Sequence, residues 1–133
     1  MSRLCLLDTN VIIEHISGIR RIPEIVSRAG AMFLSEVVIA EYKVGLDNTR
    51  KGRRDREGLD SFLHLSNVVQ ITLTPATTDL YAKVFRALRE KGQPIPVNDI
   101  WLSAQALEHG AVLVSSDRHF EAVANLQTMI LGN

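Results

Sequence analysis

A chain of 133 residues suits one domain, 1–133, able to bury about two thirds of the surface its unfolded form exposes. Its 46% hydrophobic residues fit a filled core, and no apolar stretch approaches the roughly 20 residues needed to span a bilayer, so no membrane partner is expected. A formal net charge of +0 gives no overall pull toward nucleic acid, and the single cysteine, Cys5, excludes an internal disulfide.

Met1-Ser2-Arg3 leads straight into the run Leu4-Cys5-Leu6-Leu7. That run is too short for a signal peptide and no small-residue cleavage site follows it, so the cytoplasm is the expected compartment. It is apolar without alternation, as in a central strand buried on both faces. A helix is expected from Asn10 to His15, closed by Gly18, and a short one from Pro23 to about Arg28. Ala31–Leu34 reads as the second strand. Ser35 can cap a helix from Glu36 to about Leu46. Residues 53–66 read as another helix, with Leu59, Phe62, Leu63 and Leu65 apolar. Val68–Leu73 is a third strand. Thr74-Pro75 is a cap followed by a proline in the first turn, opening a helix that Gly92 closes. Lys91–Pro96 is a loop. Asn98 can cap a helix over Asp99–Glu108 that ends at Gly110. Ala111–Val114 is a strand, and Met129–Leu131 a short edge strand. Apolar runs alternating with helical patterns indicate an α/β fold with a parallel sheet.

Four acids stand where such a fold has little structural need of them. Asp8 and Asp117 follow apolar runs, and ligands of an open α/β sheet bind beyond the carboxyl ends of its strands. Asp99 falls in the first turn of its helix, where the dipole favours an ionised acid. Glu41 shares a helix with Glu36, and five residues separate the two by about 140° around the axis. Glu36 sits at the helix start, a common place for a surface acid, so Glu41 is the choice for the site. Singly, each has an ordinary reading: a turn or cap for Asp8, a helix-end charge for Asp99, an Asx turn for Asp117, a surface pair for Glu41. Jointly, four converging carboxylates would repel one another without a divalent cation, and an all-oxygen set suits Mg²⁺ or Mn²⁺. Metal held by acids, with no other cofactor motif, points to phosphate-ester hydrolysis.

Other chemistries fit poorly. There is no G-x-G-x-x-G or P-loop motif, and His15, His64, His109 and His119 lack zinc-ligand spacing with one another or with Cys5. Asp8-Thr9-Asn10 is similar to the nucleophile motif of haloacid-dehalogenase-like phosphatases, but their second aspartate is Asn10 here. The local basic segment Arg50-Lys51-Gly52-Arg53-Arg54-Asp55-Arg56 is either a solvated helix start or, with Lys43, a source of phosphate contacts. Lys43, Arg53 and Arg54 are its candidates for substrate binding.

Leu6-Leu7-Asp8-Thr9-Asn10-Val11-Ile12-Ile13 resembles the opening of a PIN domain. The resemblance continues through Ser35 and Glu41-Tyr42-Lys43-Val44-Gly45 to Pro96-Val97-Asn98-Asp99-Ile100-Trp101. It ends in Leu113-Val114-Ser115-Ser116-Asp117-Arg118-His119-Phe120. It covers nearly the whole chain in order, and the short form resembles the VapC-type toxins of toxin–antitoxin pairs. It implies a three-layer αβα sandwich around a parallel sheet, with Rossmann-like topology, and a metal-dependent endoribonuclease acting on RNA. It also implies a homodimer and a cognate antitoxin whose peptide covers the active site. Asp8, Glu41, Asp99 and Asp117 match the four acidic positions, and Asn10 and Ser116 match polar positions beside them. Many members carry Thr where this chain has Ser116, which keeps the hydroxyl. Two other readings remain open: a PIN-type nuclease acting in RNA maturation or on structured DNA without a toxin role, and a catalytically silent binding module.

Overall fold

The computed structural model describes residues 3–132; the Met1-Ser2 lead-in and Asn133 lie outside them. Five strands form one parallel sheet: β1 (Leu4–Leu7), β2 (Ala31–Ser35), β3 (Val68–Ile71), β4 (Val112–Ser115) and β5 (Thr128–Ile130). Six α-helices connect them: α1 (Thr9–Ser17), α2 (Glu24–Ser27), α3 (Glu36–Val44), α4 (Arg50–Leu63), α5 (Pro75–Lys91) and α6 (Val97–His109). A 3₁₀ helix, Arg118–Ala122, lies between β4 and β5. Helices cover both faces of the sheet, as the expected sandwich requires.

The strand order is β3-β2-β1-β4-β5. The chain starts at the centre, winds outward to β3, then returns across the sheet to β4 on the other side of β1. Leu7 pairs with Val114 in the β1–β4 register and Leu6 with Phe33 in the β1–β2 register. Being central, β1 is apolar throughout; Cys5, Leu6 and Leu7 are fully buried. The edge strand β3 exposes Val69 and Gln70. The main core joins the sheet to Val11, Ile12, Val38, Tyr42, Leu59 and Leu102. A smaller cluster of Val84, Leu88, Ile100 and Val123 locks α5 to α6 and to the segment after the 3₁₀ helix.

The strands and most helices fall where the sequence places them, with boundary differences that have local causes. The first helix starts at Thr9 rather than Asn10 because Asp8 is its cap, accepting the Thr9 N–H at 2.8 Å. The fourth starts at Arg50 rather than residue 53, because Thr49 accepts the Gly52 N–H at 3.0 Å. It ends at Leu63, and Leu65 is exposed. Asn98 does not cap α6. Pro96 does, with φ already fixed near the helical entry and its carbonyl taking the N–H groups of Asp99 and Ile100 at 3.0 and 3.1 Å. Gly110, at φ +62, closes that helix in a left-handed turn and sends the chain into β4.

Candidate active site

The carboxyl ends of β1 and β4 lie side by side at the point where the chain's winding reverses, which leaves a crevice in a sheet of this order. Asp8 leaves β1 there. It is 4% exposed, and its own N–H donates to Val114 O at 2.9 Å. Its Oδ2 accepts the Ser115 hydroxyl at 2.7 Å and the Asn10 amide at 3.2 Å. Asp117 leaves β4 and stays exposed, with its N–H donating to Ser115 Oγ at 2.9 Å and its Oδ2 accepting Asn10 Nδ2 at 3.4 Å. One serine hydroxyl and one asparagine amide thus hold the two strand-end acids in fixed relation.

Two helices bring the other pair. Glu41, on α3, accepts the Thr9 hydroxyl on Oε1 at 2.7 Å. Its helix-mate Glu36 points elsewhere and accepts the Leu73 N–H at 3.1 Å, fastening the exit of β3. Asp99, in the first turn of α6, places Oδ2 2.7 Å from His119 Nε2. Asp8, Glu41, Asp99 and Asp117 all line one open cleft of about 520 Å³, together with Asn10 and Val97, and among the described residues no Lys or Arg lines it.

The electrostatics follow from that crowding. Burial pushes the Asp8 carboxyl above its ordinary value, against the Ser115 and Thr9 hydrogen bonds, with Asp117 and Glu41 repelling in the same upward direction. Burial is also the main cause at Asp99, which is pushed up to about 6; the charge of Asp8 adds to it, His119 opposes it, and Glu41 raises it further.

Among the described residues, no three His, Cys, Asp or Glu side chains stand close enough to hold a metal ion between them as placed. The quartet is therefore not a closed cage of four direct ligands. It fits a hard cation in another way. Its donors are all oxygens, they repel one another, and the cleft is open. Mg²⁺ keeps several waters and binds through about one or two carboxylates with substrate phosphates completing the shell.

Three contributors do not stand out in the sequence. The hydroxyl that supports Asp8 belongs to Ser115, fully buried, while Ser116 takes part through its backbone N–H, 3.4 Å from Asn10 Oδ1. Thr9 holds Glu41, and His119 holds Asp99. The β1–β4 register is the signal that finds Ser115, since Leu7 opposite Val114 sets Asp8 beside it. Lys43, Arg53 and Arg54 are exposed and do not line the cleft. Arg53 donates to Asn48 O at 2.6 Å. Of that basic stretch, Lys51 reaches a smaller neighbouring groove that shares Ile13 and Glu41 with the cleft.

The family model of the PIN domain matches residues 5–126. The chain belongs to the PIN domain family. Ribonuclease VapC2 of Haemophilus influenzae is 33% identical over 128 residues, covering 92% of this chain and 94% of that protein. Among solved structures, VapBC2 from Rickettsia felis, bound to a DNA fragment from their promoter, contains a chain that superposes with a TM-score of 0.83. The two are 24% identical, and the match covers 96% of this chain and 98% of that one. VapBC-5 from Mycobacterium tuberculosis, a member of the VapBC family of toxin-antitoxin systems, gives 0.74 at 21% identity over 96% and 97% of the two chains. PIN-domain ribonucleases of this kind are metal-dependent nucleases. Asp8, Glu41, Asp99 and Asp117 are thus the acids that this PIN domain gathers in one cleft.

Proposed function

We propose that this PIN-domain protein is an endoribonuclease that hydrolyses RNA phosphodiester bonds with Mg²⁺ or Mn²⁺, and that it is the toxin of a toxin–antitoxin pair. The reading is carried by one observation. Four carboxylates from four separate elements line a single cleft, in a chain 33% identical over 92% of its length to a ribonuclease VapC2. The complete acidic set speaks against a silent binding module.

Asp8 and Asp99 are the principal ligands in this reading, with Glu41 and Asp117 acting partly through water. Bound there, a divalent cation would supply Lewis-acid stabilisation of charge at the scissile phosphate and would favour activation of water as the nucleophile. The protein's part is orientation. Ser115 and the Thr9 N–H grip both oxygens of Asp8, which fixes its rotation about the cleft. Asn10 bridges Asp8 and Asp117 and keeps their spacing. His119 occupies Oδ2 of Asp99 and leaves Oδ1 as the free donor. Such supporting contacts around ligands are typically worth about 10–100-fold in metal affinity or activity.

A cognate antitoxin protein is the expected inhibitor, and a homodimer the expected assembly. No helix among the described residues is long and apolar enough to cross a membrane, and a cytoplasmic location is part of the same reading. The test is cleavage of a mixed cellular RNA pool with Mg²⁺ or Mn²⁺, with cut sites mapped, comparing wild type with Asp99→Asn. Discrete cuts by the wild type alone are expected. Equal cutting by the variant would remove Asp99 from the site. Co-purification of a small partner that blocks cleavage separates a toxin from a maturation nuclease.

A further inference from the structure

Single-stranded RNA carries a negative charge at every linkage, yet among the described residues no Lys or Arg lines the acid cleft. The cations that guide a substrate must therefore flank it. Two hollows do so. On the α4 side, Lys51 faces two carboxylates, Glu41 and Asp55, and its ammonium is held 2.6 Å from Asp55. On the other side, a hollow of about 410 Å³ between the loop after α5 and the 3₁₀ helix sets two cations, Lys91 and Arg118, against one carboxylate, Glu121.

This second hollow adjoins the acids directly. Ile95 lines it and the next residue, Pro96, lines the cleft. His119 lines it and stands 2.7 Å from Asp99 of the cleft. Lys91 is held in place by donating to Ala122 O at 2.6 Å, and an ammonium has three donors, so it keeps two for a ligand. Arg118 meets Glu121 only at 3.3 Å with both side chains exposed, a weak pair that a phosphate can displace. Ile95 gives the hollow an apolar wall, and Gln93 carries an amide that can donate to and accept from a base edge. Sequence-selective proteins commonly read single-stranded RNA through splayed bases held in this way.

We propose that the hollow lined by Lys91, Gln93, Ile95, Arg118 and His119 is a nucleotide subsite. It takes the residue of RNA next to the scissile bond, with the phosphate on Arg118 and Lys91 and the base against Ile95 and Gln93. The inference rests on the ribonuclease reading above and adds to it the place where sequence preference is set.

Two measurements test it. Binding of a fluorescein-labelled oligoribonucleotide of mixed sequence is followed by anisotropy in the cleavage-deficient Asp99→Asn protein, alone and with Arg118→Ala, Lys91→Gln or both added. Each cation removed is expected to weaken binding about fivefold and to lower the salt slope by about 0.7. Arg28→Gln, which precedes β2 and so lies at the amino-terminal end of the strands, away from the cleft at their carboxyl ends, is expected to change neither. In the otherwise wild-type enzyme, Gln93→Ala and Ile95→Ala are each expected to change the mapped base preference at one position beside the cut. Unchanged affinity and salt slope in the double variant would overturn the subsite, whatever cleavage does. So would an unchanged cut-site profile in both Gln93→Ala and Ile95→Ala. Loss of binding in the double variant beside a wild type that cuts no RNA would leave the subsite standing and sink the nuclease reading instead.

Discussion

Asp99→Asn is expected to make the metal-free protein more stable while abolishing its cleavage. Asp99 is pushed from 3.8 to about 6 by burial and by the charge of Asp8. Between those two values the unfolded chain has released this proton and the folded chain still holds it. The folded state binds more protons, so stability falls as pH rises through the window and is flat above it. A shift of about two units corresponds to about 3 kcal/mol at about 1.4 kcal/mol per unit, and solvent screening in the open cleft trims it to about 2–3 kcal/mol. The amide of the Asp99→Asn variant has no proton to release and can still accept from His119, so the variant escapes the fall. The two proteins should melt together near pH 4 and differ by about 2–3 kcal/mol at pH 7.5, or about 6–10 °C in Tm for a chain of this size. Thermal melts by circular dichroism in EDTA across pH 4–8 read this directly. Millimolar Mg²⁺ should then narrow the gap by stabilising the wild type and not the variant. A gap of constant size from pH 4 to pH 8, or none at all, would refute the claim that the cleft holds Asp99 against its charged form.

Ser115→Ala removes the hydroxyl shared by Asp8 and the Asp117 N–H. It is expected to lower cleavage about 10–100-fold and to weaken Mn²⁺ binding by titration calorimetry, with Ser116→Ala changing both far less. His119→Gln keeps a donor near Asp99 and should retain most activity, whereas His119→Phe should lose it; equal activity in the two would free His119 of any part in holding Asp99. Gln105 is fully buried and neither its amide nitrogen nor its oxygen has a partner among the described residues, so Gln105→Met is expected to raise stability by about 1–2 kcal/mol in urea melts. Gly52→Ala drives a Cβ into the backbone of Asp47, against the turn that caps α4, and should cost about 1–3 kcal/mol in the same melts.

The strands are legible because each central one is an apolar run without alternation, and a run of that kind marks its own carboxyl end. Asp8 and Asp117 can therefore be placed on the working edge before any neighbour is known. Glu41 can be separated from Glu36 by helix geometry alone, and the structure sends Glu36 to the Leu73 N–H instead. What cannot be read depends on which strands are neighbours. Ser115 and Ser116 both sit at the end of β4, and only the pairing of Leu7 with Val114 decides which hydroxyl meets Asp8. His119 reaches Asp99 through a 3₁₀ helix that has no apolar period to announce it. The start of α4 is hidden for a related reason: Arg50 and Lys51 are exposed, so only the Thr49 cap marks where the helix begins.

The partners of the acids say more about their purpose than the acids themselves. Elsewhere in this protein four carboxylates meet permanent cations, Glu14 with Arg20, Glu24 with Arg28, Asp55 with Lys51 and Glu121 with Arg118, at 2.6–3.3 Å, while Glu36 and Glu108 are held by a backbone N–H and by hydroxyls. In the cleft, Asp8, Glu41 and Asp117 are held by hydroxyls, amides and backbone N–H groups, and Asp99 by an imidazole. These contacts fix direction but leave most of the negative charge in place. What sets the cleft apart is that four such acids are brought together, where a structural role alone would favour at least one Arg or Lys among them. Keeping four of them oriented, mutually repelling and free of permanent cations makes sense where the missing positive charge arrives with a metal ion and its substrate.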